Sequence, residues 1–374
     1  MPHLKAAVSC NLDSNLLLAA MPLFEAEKVE AIEWSFDALF KIKEIPSWFT
    51  ELLQTFSSVN SLIGHGVYFS LFSGKWSQQQ QDWLFQLKKI CTQFKFDHIT
   101  EHFGFMTGEN FHTGAPLSIP FNKQTLALAQ DRLKRISNTC NVPVGLENLA
   151  FAFSLDDVKL HGNFLYQLLE PINGLLIFDL HNLYCQLHNF EMDYEEIIKN
   201  YPLELVREIH ISGGSWENSI TTPGKKIRRD THDEAVPDEV FDLLQKTIPK
   251  CPNLKYVVLE QLSIALDTAK QREAFQKDFY KLSKIAETYS TVNSHIKNFF
   301  PPAFYINAIP PEDAGLYKQQ TKLSEILKSA TSYENAVRLL QTSGFANTDW
   351  QIEKWKPYML ETAISIAQKW KNGF

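Results

Sequence analysis

Short runs rich in β-branched and aromatic residues alternate along this chain with longer stretches whose apolar residues recur at helical spacing. This alternation is typical of βα units. Eight runs predict strands over Ala6–Cys10, Ala31–Phe36, Leu62–Phe69, His98–Phe105, Pro143–Leu149, Leu175–Tyr184, Val206–Gly213 and Tyr256–Leu262. Helices are predicted between them over Gln79–Phe94, Lys123–Cys140, Asp157–Leu169, Asp193–Asn200 and Pro237–Thr247. Repeated strand–helix units favour a closed (β/α)8 TIM barrel over an open doubly wound sheet.

The chain has 374 residues, which is more than the roughly 250 residues of a typical barrel. A last barrel helix is predicted over Ile264–Tyr289, and a proline-rich stretch follows it. Helical spacing then returns over Lys322–Ala330, Ser332–Thr342 and Gln351–Lys371. We therefore predict a barrel domain over residues 1–290 and a linker with a small helical appendage over residues 291–374. This appendage is expected near the barrel mouth, and a stabilising or dimerising cap would explain it equally well.

Composition narrows the class of protein. A net charge of -7 argues against a nucleic-acid binder. The densest positive run, Gly224–Arg229, is interpreted as a solvated loop, with a gate for an acidic substrate as the alternative. Five cysteines without a CxxC pair argue against a disulfide framework and against a thiolate zinc site. With no apolar run near the ~20 residues that span a bilayer and no signal peptide, we expect a cytoplasmic protein.

Metal-binding side chains recur at the predicted strand ends, where TIM barrels place their catalytic groups. Glu147 and Glu260 lie within apolar strands, where an unpaired carboxylate is costly. Few Lys or Arg residues stand at strand ends to balance them, so metal is the simplest partner. Asp179 and His181 are two residues apart on a predicted strand and would then point to one side. The candidate ligands are His65, His102, Glu147, Asp179, His181 or Asn182, His210, Asp230, His232 and Glu260.

The number of candidate ligands indicates how many metal ions the site binds. One zinc or iron ion takes three or four protein ligands, and roughly twice that number is present. We therefore predict two or three ions, with Glu147 placed to bridge them. Carboxylates mixed with imidazoles suit Fe, Mn or Zn. His98 and Glu101 stay ambiguous, and no role is assigned to His3, His112, His161 and His295.

Seven of these motifs, taken in order, resemble the multinuclear non-haem iron-dependent oxidative enzymes, the family that includes the methanobactin-biosynthesis oxygenase. The resemblance spans about residues 6–288. The motifs are His65-Gly66-Val67, Glu101-His102, Leu146-Glu147-Asn148, Asp179-Leu180-His181-Asn182-Leu183-Tyr184, His210-Ile211-Ser212-Gly213, Asp230-Thr231-His232 and Leu259-Glu260.

The resemblance implies a xylose-isomerase-like barrel that holds two or three irons (Fe2+/Fe3+), with Zn or Mn as possible substitutes. It implies an enzyme that uses O2 to modify cysteines of a ribosomally made precursor peptide, usually presented by a partner protein. Asp233 or Glu234 would then manage protons. The implied ligands are His65, His102, Glu147, Asp179, Asn182, His210, Asp230, His232 and Glu260.

This chain departs from the family pattern in three places. His181-Asn182 stands where the family usually has Asn-Asn, which would add a ligand or retune an iron. The first strand reads Val8-Ser9-Cys10-Asn11-Leu12 instead of a Gly-Leu-Arg run. Residues 290–374 have no counterpart in the usual barrel.

Other functions fit a barrel of this kind. A sugar isomerase would want a lysine at a strand end, and none is well placed. An AP-endonuclease-like hydrolase needs a basic phosphate-binding face, against which the net charge of -7 argues. A non-catalytic protein that keeps its metal for stability is the alternative outside enzymes, and O2 uptake by the metal-loaded protein distinguishes it.

Overall fold

The computed structural model describes residues 3–42, 44–107, 114–289 and 297–371. Its centre is a closed barrel of eight parallel strands, in which each strand pairs with its neighbours in sequence and the last pairs with the first. The predicted TIM-barrel fold is confirmed. The strands are β1 (Lys5–Ser9), β2 (Ala31–Trp34), β3 (Leu62–Gly66), β4 (Ile99–Glu101), β5 (Val144–Glu147), β6 (Leu175–Asp179), β7 (Val206–Ile211) and β8 (Tyr256–Leu259).

Helices surround the barrel. They are α1 (Ser14–Glu25), α2 (Ser47–Ser58), α3 (Gln78–Gln93), α4 (Lys123–Cys140), α5 (Leu155–Leu169), α6 (Leu180–Phe190), α7 (Tyr194–Ile197), α8 (Asp238–Thr247) and α9 (Ala269–Tyr289). Three further helices follow, namely α10 (Ala314–Ser329), α11 (Tyr333–Thr342) and α12 (Pro357–Lys369). Within the described ranges, no helix is both long and apolar enough to cross a membrane.

The predicted element bounds need correction. Strand Leu175–Tyr184 was predicted too long, because Asp179 ends β6 and its carboxylate accepts the Asn182 N–H as the N-cap of α6. Strands β3 and β4 are also shorter than predicted. The helix expected over Asp193–Asn200 is one α-helical turn followed by a 3-10 turn. The start of α10, at Ala314, lies eight residues before the predicted one.

Side chains alternate along each strand between the helices and the barrel interior. The interior contains an apolar cluster of Ala7, Ala31, Ile63, Tyr256 and Val258. His65 lies two residues after Ile63, and Glu260 lies two residues after Val258. Both side chains therefore also point to the barrel interior. The same strand that supplies an apolar residue to the barrel floor therefore supplies a polar residue to its carboxyl-terminal end.

The C-terminal helices contact the loops at that end of the barrel. Gln320 of α10 bonds to the loop after β3. Phe153, after β5, stacks on Trp355 with ring centroids 3.7 Å apart. Glu361 of α12 accepts hydrogen bonds from the loop after β7. The predicted domain boundary at residues 290/291 lies outside the described residues.

Replacing Gln320 with alanine is expected to destabilise the protein by about 1–3 kcal/mol. The buried Gln320 side chain accepts the N–H of Gly74 at 2.9 Å and donates to the Phe72 carbonyl at 2.8 Å, so its removal leaves two backbone groups unpaired. Urea denaturation measures the loss. Lys318→Ala, at an exposed position of the same helix, is the control and should change stability by less than about 0.5 kcal/mol. Equal effects would contradict this anchoring.

Candidate metal centre

Glu147, the last residue of β5, lies at the centre of the polar end of the barrel. Its Oε2 is 3.4 Å from His65 Nε2 and 3.2 Å from His102 Nε2. Its Oε1 is 3.7 Å from His210 Nδ1 and 3.3 Å from the Asn182 amide nitrogen. One carboxylate therefore faces different nitrogen atoms with its two oxygens, which is the arrangement of a bridging ligand.

Two sets of potential ligand atoms meet at Glu147, with all atoms of a set within 4.8 Å of one another. The first set is His65, His102 and Glu147, and the second is Glu147, Asp179, His210 and Glu260. Each spacing suits atoms that surround an ion at the usual bond lengths of about 2.0–2.3 Å.

A third set lies in the loop after β7. Asp230 Oδ1 is 2.9 Å from His232 Nε2 and 3.1 Å from His181 Nδ1. His232 connects this loop to the other sets, since its Nδ1 is 3.7 Å from Glu260 Oε2. His232 has a φ of 51°, a left-handed conformation that is uncommon for a residue other than glycine and often marks a functional site.

The hydrogen bonds of the strand histidines leave one nitrogen of each available. His102 Nδ1 must donate to the Gly66 carbonyl at 3.1 Å, so Nε2 carries a lone pair. Thr100 donates its hydroxyl to the Gly64 carbonyl and accepts from His65 Nδ1 at 2.8 Å, which again frees Nε2. Each free lone pair faces Glu147, as expected for two imidazoles that share an ion with it.

The fit of this donor set to metal can be judged from its unsatisfied atoms. Buried polar groups in proteins almost always find a partner. Here several buried oxygen and nitrogen atoms from the three sets and from the neighbouring Asn182 make no hydrogen bond. They are His65 Nε2, Glu147 Oε2, Asp179 Oδ2, Asn182 Oδ1, His210 Nδ1 and His232 Nδ1. Because they converge and include both carboxylates and imidazoles, the residues fit metal ions.

The protonation of the carboxylates supports the same conclusion. Burial, and then the charges of Glu147 and Asp230, raise the pKa of Asp179 well above its usual range. Burial also raises the pKa of Glu147, but nearby positive charge at His102 and His65 outweighs it and the net shift is downward. In a metal centre that positive charge would come from the ions, and the two rings would be neutral ligands. Asp179 needs a cation to be a carboxylate here, and a metal ion is such a cation.

Sequence reasoning missed the carboxylates beneath this layer. Glu33 of β2 and Glu208 of β7 are fully buried and lie 3.0 and 3.3 Å from His210 Nε2. This contact makes Nε2 the protonated nitrogen of His210 and leaves Nδ1 for a metal. Glu208 also contacts His98, at 2.6 Å. The signal was present, because both glutamates stand inside apolar strands as Glu147 does.

Several expectations about individual residues were wrong. Asp179 and His181 do not share one strand face, because His181 belongs to α6. The interpretation of the run around Arg228 as a solvated loop fails there, since Arg228 and Arg229 are buried and Lys226–Arg228 pairs as a strand with Trp216–Asn218. A buried cation thus does stand near the site.

The remaining sequence candidates lie apart from the three sets. Asp233 accepts a hydrogen bond from Thr231, and the half-exposed Glu234 lies 3.6 Å from Arg228. Their proposed role in proton transfer stays a prediction. His161 is buried and accepts the Leu149 N–H, and His3 contacts Glu30 at the surface. His112 and His295 lie outside the described residues.

Comparison with solved structures finds other barrels. A zinc-bound IOLI protein is 13% identical, with a TM-score of 0.48 over 76% of this chain and 99% of that one. The D-psicose 3-epimerase of Clostridium cellulolyticum H10 is 9% identical, with a TM-score of 0.49 over 78% of this chain and 100% of that one.

Comparison of sequences finds UPF0276 proteins. The one from Caulobacter vibrioides is 24% identical over 219 residues, which cover 56% of this chain and 75% of the relative. The one from Acaryochloris marina is 25% identical over 219 residues, covering 58% and 75%. The model of the family described as "RiPP precursor modification enzyme MbnB/TglH/ChrH", where a RiPP is a ribosomally synthesised and post-translationally modified peptide, matches residues 30–269. This match covers more than half of the chain and includes every residue of the three ligand sets, so the protein belongs to the MbnB/TglH/ChrH family of RiPP precursor modification enzymes.

Proposed function

We propose that this protein is a multinuclear non-haem iron enzyme that uses O2 to oxidise a cysteine of a ribosomally made precursor peptide. Two or three irons would be held by His65, His102, Glu147, Asp179, Asn182, His210, Asp230, His232 and Glu260. Family membership supports the peptide substrate, and the mixture of carboxylate and imidazole ligands supports iron over softer metals.

The observation that carries this proposal is the position of Glu147 between two ligand sets. A structural carboxylate buried for stability would be matched by hydrogen-bond donors, yet Glu147 Oε2 has none. The two histidines nearest to it present lone pairs rather than N–H groups. Glu147 Oε2 and the two Nε2 lone pairs that face it are therefore acceptors without a donor. A cation placed among them would be a partner for all three.

Irons bound here would supply O2 activation, one-electron redox chemistry and a binding position for a thiolate. The protein's own contribution is to hold the ligands and to keep their charge balanced. Glu33 and Glu208 orient His210 through its Nε2, and Asn148 orients Asp179 by bonding to both its backbone N–H and its carbonyl. Such fixed geometry avoids reorganisation during reaction.

We place the peptide in a cleft between the barrel and the C-terminal helices. A cavity of about 390 Å³ lies between the loop after β3 and helix α10, with Tyr68, Trp76 and Tyr317 among its lining residues. Tyr68 follows His65 by three residues, so the cavity wall begins next to a proposed ligand. The appendage would in this way supply part of the surface that a separate peptide-presenting partner provides elsewhere in the family.

The proposal is tested by loading the purified protein with Fe2+ without oxygen and measuring iron per chain. At least two irons per chain are expected. The loaded protein is then exposed to O2 with a cysteine-containing candidate precursor peptide, while O2 consumption and peptide mass are followed. We expect peptide-dependent O2 uptake and a change in peptide mass.

Two controls make the result specific. The same peptide with its cysteines replaced by serine should stay unmodified, and protein loaded with Zn2+ should bind peptide without changing its mass. Binding of less than one iron per chain, or an identical product with Zn2+, would exclude a multinuclear oxidative centre.

A further inference from the structure

We infer that His181 is not a metal ligand but a positioning residue, which together with Arg228 orients the Asp230 carboxylate. The role of His181 and Arg228 in metal binding rests on the proposed metal centre. The hydrogen bonds that define their geometry do not depend on it. His181 Nδ1 is 3.1 Å from Asp230 Oδ1, and the Arg228 Nε–H is directed at His181 Nε2, also at 3.1 Å.

The direction of these two hydrogen bonds follows from the chemistry of arginine. A guanidinium group has only donors, so Arg228 Nε can bond to His181 Nε2 only if that nitrogen is unprotonated. A neutral imidazole then carries its proton on Nδ1, which donates to Asp230. Both nitrogens of His181 are engaged, so no lone pair remains for an ion.

This arrangement distinguishes His181 from the strand histidines. His65 and His102 each direct one nitrogen to a hydrogen-bond partner in the protein and the other to Glu147. The neighbour of His181 shows the contrast again, because the Asn182 amide nitrogen is engaged while its buried Oδ1 has no partner. Of the two adjacent residues, Asn182 is therefore the one with a free ligand atom.

Arg228 is held in place from several sides. Its backbone N–H and carbonyl both bond to the Asn189 side chain, at 2.8 and 3.0 Å. Its guanidinium carbon lies 5.0 Å from the ring centre of Trp216 and 5.6 Å from that of Tyr184. A cation that contacts two aromatic rings and is only 3% exposed has little freedom to turn away from His181.

The imidazole of His181 is held as closely. It is fully buried, and its edge lies against Gly214, where an added Cβ would come within 2.9 Å of His181 Cε1 and 2.1 Å of the Arg229 carbonyl oxygen. The absence of a side chain at residue 214 thus makes room for the ring. A rigid donor on Asp230 in turn fixes which way that carboxylate faces His232.

The experiment compares Fe2+ affinity, by anaerobic competition with a chromogenic chelator, among full-length variants. Asp230→Ala should lose one ion. His181→Ala should keep that ion but bind it about 10–100-fold more weakly, as loss of an outer hydrogen-bond partner does. His181→Asn, whose amide nitrogen takes the place of Nδ1, should restore most of the affinity, whereas His181→Gln, which reaches the Nε2 position, should not. His188→Ala on the same helix is the matched control and should bind iron normally.

A measurement on the unmodified sequence guards against misfolded variants. In Zn2+-loaded protein with 15N-labelled histidine, NMR should show His181 protonated on Nδ1 and hydrogen-bonded but unprotonated on Nε2, with neither nitrogen shifted by metal. Metal-type shifts at His181, or loss of the ion in His181→Ala as complete as in Asp230→Ala, would overturn the inference. If Asp230→Ala retains all its iron while NMR shows this tautomer, the metal-centre proposal fails at Asp230, and the role of the pair in metal binding fails with it.

Discussion

Replacing Glu147 with glutamine is expected to reduce bound iron from at least two ions per chain to one or none, and to abolish peptide oxidation. Glu147 is shared by both ligand sets at the barrel mouth, so its change removes a ligand from two ions at once. Glutamine keeps the size of the side chain but offers one neutral oxygen in place of two charged ones. Iron per chain after anaerobic loading and removal of excess metal measures the effect.

Glu101→Gln is the matched control for this result. Glu101 ends the neighbouring strand β4, is as buried as Glu147, and belongs to none of the ligand sets formed by the described residues. Its replacement should therefore leave the iron content unchanged. Full iron binding by Glu147→Gln, or an equal loss in both variants, would mean that Glu147 does not bridge two ions.

The barrel itself was predictable because its signal is local and repeated. Each βα unit carries its own hydrophobic period, so an error in one unit does not change the count. The boundary at Asp179 shows where this stops. Residues 175–184 form a mostly apolar run in which a strand and a buried helix look alike. The break is fixed both by the Asp179 carboxylate, which caps the helix at the Asn182 N–H, and by the contact of Asp179 with Asn148, a residue on another strand end.

The candidate site was predictable to the extent that one rule applied to it. A carboxylate in an apolar strand needs a partner, and this rule predicts Glu147 and Glu260 as site residues. Glu33 and Glu208 lie in apolar strands too, so the same rule holds for them. Arg228 could not be found in that way. Its run is among the most polar in the chain, and its burial results from strand pairing with Trp216 and from Asn189 on a separate helix. Local composition does not contain those contacts.

His98→Gln is expected to destabilise the protein by about 3 kcal/mol or more near pH 6. His98 Nδ1 lies 2.9 Å from Asp97 Oδ2 and Nε2 lies 2.6 Å from Glu208 Oε2, so both nitrogens donate and the ring is a buried cation. Its loss leaves Glu208 without that cation in the barrel interior. Urea denaturation of protein stripped of metal measures this, because metal release then does not contribute.

The pH dependence of that loss separates the charge from packing. Burial alone would lower the pKa of His98, but the bonds to Asp97 and Glu208 outweigh it and the net shift is upward from 6.5. Below pH 6.5 folded and unfolded chains both hold the proton, and the stabilisation is complete. Above it only the unfolded chain releases the proton, so the advantage over His98→Gln should fall by about 1.4 kcal/mol per pH unit until the folded pKa is reached.

His161→Gln gives the opposite pH signature and serves as control. Burial lowers the pKa of His161 to about 3, so the folded protein holds it neutral and its contribution is constant above pH 6.5. That contribution is lost only as the pH falls from 6.5 towards 3, where the unfolded chain gains a proton that the folded one does not. Between pH 6.5 and 8, the loss of stability caused by His98→Gln should therefore become smaller, whereas the loss caused by His161→Gln should stay constant. If the stability difference between His98→Gln and the unmodified protein does not change across this pH range, the His98 ring is neutral. The buried carboxylates beneath the metal centre would then require another source of positive charge.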